Sequence, residues 1–397
     1  MTHTYLPWRM AGLAVATCGL CIGTLTLASA DTVTTEAGPA KLESLAKLDN
    51  PWGVTLLPDG GYLISEKPGR LRIFKDGKLS EPIAGVPEVA FRKQGGLLDV
   101  EIDPDFERNK FVYISYAEPD RSRPNGKDTP DPRVGTTGDD PVIKGGAVAR
   151  GRLDGMELKD VRVIWRQQPK LVGRGHFGGK LAFARDGSLF ITSGDRQRFI
   201  HPQDVSSNVG KIIRINADGS IPKDNPKLGG AADGIYSMGH RNPLGIAIDP
   251  ITQNVWINEM GPLGGDELNL VVAGKNYGWP QVSEGDHYNK EPIPRPSSKP
   301  EFTQAAKVWN PVISPSGMIF YTGDKFPGWK GSALIGGLSS QALIRVKIDG
   351  DRVTGEERID IGKRVRDVIQ DRDGTLLLLI DANKEQVGGE LMRLSPQ

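Results

Sequence analysis

The sequence predicts an all-β chain wound into a six-bladed β-propeller. Two observations carry that reading: a strand-turn-strand unit that recurs along the chain, and 50 glycines and 29 prolines spread without collagen-like or linker-like runs. Each unit is an alternating apolar strand, a turn on Asp-Gly, Asp-Pro or an equivalent, and a second apolar strand. The six copies are WGVTLLPDGGYLISE from Trp52, LDVEIDPDFERNKFVYISY from Leu98, KLAFARDGSLFITSGD from Lys180, LGIAIDPITQNVWINE from Leu244, SGMIFYTGDKFPGWKGSALIGG from Ser316 and RDVIQDRDGTLLLLID from Arg366. Gly and Asp tolerate the positive φ of a hairpin turn, while Val, Ile, Leu and Phe suit a half-buried pleated surface. One such hairpin is marginal alone, and repeating it around an axis lets each sheet bury its faces on its neighbours.

The remaining elements follow in chain order. A stretch carrying Arg9, an apolar run from about Ala11 to Leu27 and Ala28-Ser29-Ala30 before Asp31 read as a cleaved secretory signal. Residues 1–30 are therefore the expected signal peptide and residues 31–397 a single propeller domain, periplasmic or secreted, with no membrane span in the mature protein. Both cysteines, Cys18 and Cys21, fall inside the signal. Thiol catalysis and cysteine metal sites are excluded, and the fold must hold without disulfides, which a chain of this size can do. A formal net charge of +1 with mixed signs leaves no basic stripe, so nucleic acid is not an expected partner. Two insertions interrupt the repeats: a Pro-, Asp- and Gly-rich stretch from Glu118 to Gly146, read as a surface loop, lid or ion-binding excursion, and an aromatic, proline-rich one from Asn276 to Asn310.

Unusual polar residues stand just beside the repeats, where the loops of a propeller converge on one mouth of its channel. His176, in GRGHFGGKL, precedes the third unit among glycines that permit close backbone approach. A neutral imidazole suits a general base, with Asp195 of ITSGDRQ to orient it; an ordinary loop histidine and a turn aspartate are the alternatives. His240, Arg241 and Asn242 precede the fourth unit, an arginine fork and amide fitting either a rigid polyanion or a turn-stabilising salt bridge. Gly261 and Pro262 expose backbone carbonyls ahead of Asp266 and Glu267, hard oxygen ligands suited to Ca²⁺ or simply a turn. Arg364 and Arg366 alternate on one strand face, for an anionic ligand or as solvated charge.

Taken in order, NPWGV (50–54), QGGLLDVEIDPDF (94–106), GHFGGKLAF (175–183), SGD (193–195), GKIIRINADGSIP (210–222), GHRNP (239–243), EMGP with DELNLV, NYGWP (276–280) and RVRDV (364–368) resemble the glucose and sorbosone dehydrogenase family of pyrroloquinoline quinone (PQQ) enzymes. The resemblance spans nearly all of the mature chain. It implies PQQ over a Ca²⁺ ion at the mouth of the propeller, and oxidation of the C1 hydroxyl of an aldose to the lactone. Carried over residue by residue, it makes His176 the base and Asp195 its support. Gln94, Arg241, Asn242, Arg364 and Arg366 become groups around PQQ, the carbonyls of Gly261 and Pro262 the Ca²⁺ ligands, and Trp309 an aromatic wall of the sugar cleft. An external electron acceptor is then needed. One departure is Ser339, in GLSSQAL, where the glucose enzymes carry a PQQ-contacting lysine. With the absent cysteines and the altered cleft insertion, it argues for a broader range of aldoses than glucose. No Gly-rich nicotinamide loop is present. A sugar lactonase and a non-catalytic sugar-binding propeller remain as competing readings.

Overall fold

Apolar alternation and Asp-Gly or Asp-Pro turns pair the first two strands of every unit, and the computed structural model shows how the hairpins assemble. It describes residues 1–4, 31–127, 131–134, 140–382 and 388–397, so the apolar run and cleavage site of the signal, and parts of the first insertion, lie outside the described residues. Six antiparallel sheets form the six blades. Their inner strands are Pro51–Leu56, Leu97–Ile102, Gly178–Phe183, Pro243–Ile248, Pro315–Phe320 and Val365–Gln370, and each packs on the next in a closed cycle. Each inner strand and its partner coincide with one predicted unit to within a few residues. Apolar clusters fill the wedges between blades, as where Trp256 and Leu268 meet Met318 and Ile335.

The ring closes through a strand the repeat search did not anticipate. Gly38–Lys47 pairs antiparallel with Gly389–Pro396, and Asp31–Thr35 adds outside it, so the N-terminal segment completes the last blade. This ties the two ends of the chain together and covers an edge that would otherwise present unpaired backbone groups.

Every inner strand starts with a register shift against its partner: between Pro51 and Gly53, Leu97 and Val100, Gly178 and Leu181, Pro243 and Gly245, Pro315 and Met318, and Val365 and Asp367. Such a bulge re-aims side chains at the rim of a sheet. Here it places charge inside the channel. The Lys180 ammonium lies 2.8 Å from Asp99 Oδ1 and 2.7 Å from Asp367 Oδ2, all three side chains being buried, so one cation bridges blades two, three and six. Burial opposes the charge on Lys180, but Asp367 and Asp99 outweigh it and keep the amine protonated above its ordinary range. Below this triad the second halves of the inner strands enclose a cavity of about 320 Å³ walled by residues such as Ile102, Phe183, Ile248 and Phe320. Glu101 lines it too, its carboxyl pushed up to about 8 by burial and by the charge of Asp99.

Removing the bridging cation leaves two carboxylates facing each other out of water. Lys180→Met is expected to lower the unfolding free energy by about 3–5 kcal/mol, the cost of breaking a buried ion pair from one side. Denaturant unfolding at neutral pH checks it, and an unchanged midpoint would show that the channel charges contribute nothing.

Candidate functional site

The first two strands of each blade are antiparallel, so the loop entering an inner strand lies beside the loop leaving its partner. Both open on the same mouth. His176, Arg241 and Asn242, Gln94 and Arg364 come from entering loops; Asp195, Gly261 and Pro262 come from leaving ones. With Arg366, the second residue of the inner strand Val365–Gln370, nine of the ten sequence-predicted site residues are gathered at this mouth.

His176 is fixed from several sides. It takes φ +53°, a conformation uncommon outside glycine. Its backbone N–H donates to Gln94 Oε1 at 2.7 Å and its carbonyl accepts from Arg196 N at 3.1 Å. The ring is buried and Nδ1 lies 2.7 Å from Asp195 Oδ1. With Asp195 ionised, Nδ1 carries the proton and Nε2 is left as the basic nitrogen. The other Asp195 oxygen accepts from Trp279 Nε1 at 2.7 Å, and Gln197 N donates to Oδ1 at 2.8 Å. Burial works against the Asp195 charge, yet His176, Arg241 and the Gln197 N–H hold the carboxyl below its usual range. Burial, aided by the Arg241 charge, likewise depresses His176 below the ordinary imidazole value, against the pull of Asp195. The product is a neutral imidazole held in one tautomer.

Arg241 is anchored by its own backbone N–H on Glu259 Oε2 (2.7 Å) and by Nη1 on the Met260 carbonyl (2.9 Å), with its guanidinium over the rings of Trp279 and Tyr288. Asn242 Oδ1 accepts from Gly178 N at 3.3 Å. Across the mouth Arg366 pairs with Asp381 at 2.6 Å, while Arg364 is 3.8 Å from the same carboxylate and donates to the Leu338 carbonyl at 3.2 Å. Burial depresses Arg364 below the ordinary guanidinium value. The buried Nε atoms of Arg241, Arg364 and Arg366 have no hydrogen-bond partner among the described residues. Buried donors are rarely left so, and three guanidinium groups gathered at one mouth suit an anionic ligand.

Gly261 and Pro262 line a small cavity of about 20 Å³ together with Glu259, Met260 and Glu267. That is room for a single ion or water. Burial and the neighbouring Glu259 raise Glu267 to about 8. Asp266 is spent otherwise: Oδ1 accepts from Gly261 N, and Oδ2 from Ile313 N and Ser314 N, so it pins the turn and is not a ready ligand. Among the described residues no three His, Cys, Asp or Glu side chains are grouped to hold a metal.

The tenth predicted residue, Trp309, is buried in the outer strand of blade four, paired with Asp266, its ring in the cluster between blades four and five and Nε1 bonded to Glu356 at 2.9 Å. Aromatic rings drawn from loops at the mouth include Trp279, Phe199, Phe91 and the 44% exposed Tyr288. Trp279 was within a quoted motif, NYGWP, but nothing local announced its bond to a carboxylate 84 positions away.

A six-bladed propeller carrying a His–Asp pair and an arginine-rich mouth is the class that fold and site define. The chain belongs to the glucose/sorbosone dehydrogenase family, whose sequence model matches residues 48–393. It is 41% identical over 363 residues to the aldose sugar dehydrogenase YliI of Escherichia coli, covering 88% of this chain and 91% of that one. The apo crystal structure of the soluble E. coli aldose sugar dehydrogenase superposes with a TM-score of 0.80 at 38% identity, over 90% of this chain and 100% of that one. Quinoprotein glucose dehydrogenase B of Acinetobacter calcoaceticus is 26% identical over 421 residues, 85% of this chain and 84% of that one. The PQQ-bound aldose sugar dehydrogenase of Streptomyces coelicolor shares the fold, with a TM-score of 0.70 at 24% identity over 90% and 98% of the two chains.

The tight seat of His176 is testable without any ligand. A Cβ on Gly194 would meet the His176 carbonyl, its carbon at 2.6 Å. Gly194→Ala is expected to cost about 1–3 kcal/mol of stability through overpacking, read as a fall in the thermal midpoint; an unshifted midpoint would mean the loop has slack.

Proposed function

We propose that this protein is a PQQ- and Ca²⁺-dependent aldose sugar dehydrogenase, oxidising the C1 hydroxyl of aldoses to the lactone, with His176 as general base. The observation that carries the reading is the pairing of a neutral, tautomer-locked imidazole with the guanidinium groups of one buried arginine, Arg241, and two half-buried ones, Arg364 and Arg366, at one mouth. Three guanidinium groups at one mouth fit a rigid tricarboxylate quinone, and they are what a sugar alone would not require. The names of the relatives, a quinoprotein and a PQQ-bound enzyme among them, support the same assignment. Hard carbonyl oxygens of Gly261 and Pro262 beside the crowded Glu267 suit Ca²⁺.

When bound, PQQ supplies the hydride acceptor and Ca²⁺ its Lewis-acid polarisation. The chain's own residues do the rest. His176 Nε2 takes the proton from the anomeric hydroxyl. Asp195, steadied by Trp279, stabilises the imidazolium that forms. Arg241, Asn242, Arg364 and Arg366 hold the anionic cofactor and the negative charge that develops on it, in a site where such charges are weakly screened. Gln94 acts through the His176 backbone. Regenerating the cofactor would require an external electron acceptor. We place the mature protein, residues 31–397, in the periplasm or outside the cell; no helix of the described residues is long and apolar enough to cross a membrane. A lactonase would need a protein-built metal centre, and the side-chain grouping at this mouth offers none among the described residues.

Adding PQQ and Ca²⁺ to apoprotein, then an aldose, is expected to bleach the quinone absorption and drive dye reduction; no turnover across a panel of aldoses would sink the assignment. His176→Ala should keep PQQ binding and lose about 10²–10⁴-fold in kcat, as for removal of a general base, whereas a binding-only propeller would bind sugar unchanged. Because the depressed imidazole is basic only above its own pKa, kcat/KM should hold level down to the ordinary value of about 6.5 and fall only below it. A limb centred above that value would contradict the base assignment.

A further inference from the structure

We infer that Lys67 is a further cofactor-binding residue, a third cation on the arc of the mouth that receives the anionic quinone, an inference that rests on the function proposed above. Lys67 follows Glu66 at the end of the second strand of blade one, so it lies on the same mouth, between the arginines of blade six and the loop that carries Gln94. Its ammonium donates to the Lys93 carbonyl at 2.6 Å and sits 5.9 Å from the Phe91 ring. From blade six it feels the charges of Arg366 and Asp381. Glu66 does not neutralise it, being turned to Arg70 at 2.7 Å and to the Asp49 N–H at 2.8 Å.

The charge balance of this arc is uneven. Lys67, Arg364 and Arg366 gather about one carboxylate, Asp381, and two of the arginine Nε donors there have no partner. Three half-buried cations around one anion repel one another unless a second anion arrives. Ser339, next to the Leu338 carbonyl that Arg364 holds, brings no charge to this side of the mouth. Lys67 fills that side from the neighbouring blade. Burial and the Arg366 charge depress its pKa to about 8, against the pull of Asp381, so the free protein sheds this proton just above neutrality. An incoming anion must then restore it.

The test measures binding, not turnover. PQQ, with saturating Ca²⁺, is titrated into the purified apoprotein and followed by quenching of tryptophan fluorescence between about pH 7 and about pH 9.5 for the wild type, Lys67→Met and Lys67→Arg. Lys67→Met is expected to weaken Kd about tenfold at pH 7, the loss of one charge-assisted contact. Lys67→Arg should stay within about threefold of the wild type at pH 7 and lose the wild type's fall in affinity above about pH 8, because guanidinium does not titrate there, whereas Glu267 changes charge alike in both proteins. Wild-type affinity should fall as pH rises above about 8. Equal Kd and equal pH dependence in wild type and Lys67→Met would overturn the role of Lys67 alone, as would a loss that Arg does not restore. If the Met variant does not fold, a fall in affinity above about pH 8 as large in Lys67→Arg as in the wild type overturns it by itself. No PQQ binding by the wild type removes the parent reading and this one together.

Discussion

The buried bridge of Lys180 to Asp99 and Asp367 is the interaction around which the molecule is arranged. It crosses the channel at the level where the inner strands are bulged, and it joins three of the six blades. Its carboxylates are themselves held: Asp99 Oδ2 accepts from Leu181 N at 2.8 Å, and its backbone N–H donates to Ser115 Oγ at 2.9 Å. A propeller lacking this bridge would have an open axis lined with strand ends. With it, buried charge from three blades is held across the axis, between the mouth and the cavity on the other side.

That bridge divides the channel. Above it stand arginines and one buried imidazole; below it lies a cavity of mixed lining in which burial and Asp99 push the Glu101 carboxyl up to about 8. Charges in a water-poor cleft interact more strongly than at a surface, so Arg241 can depress His176 and support the Asp195 anion together. Arg241 arrives from blade four and Arg364 and Arg366 from blade six, so arginines approach the mouth from two sides with different counter-ions. Only Asp381 is shared, and it satisfies two of them incompletely.

What the sequence disclosed follows from the range of the interactions involved. Hairpins are local, so all six inner pairs were readable from alternation and turn residues. The His176–Asp195 pair was readable as well, because both flank one hairpin of blade three. Ring closure by Gly38–Lys47 was not, since its partner is more than 340 positions away and the strand carries no turn signal of its own. Trp279 and Trp309 show the same limit in opposite senses. Both are tryptophans in or near the second insertion; one reaches Asp195 across blades, and the other is swallowed by a packing cluster. Composition cannot separate them, for an indole suits a cleft and a core equally well.

The bulges link these levels. A regular strand would point alternate residues into the channel along its whole length and fill it with apolar side chains. One extra residue at the start of each inner strand breaks that alternation where the mouth begins. Asp99, Lys180 and Arg366 all fall within these interruptions. The same local irregularity therefore puts two charges of the bridge into the axis and turns one arginine toward the mouth above it. Glycine is needed beside it: a Cβ on Gly53 would strike Asp99 and one on Gly317 would strike Asp367. Small residues in one blade thus make room for the charged residues of the next, and the polar mouth is a consequence of how neighbouring blades fit.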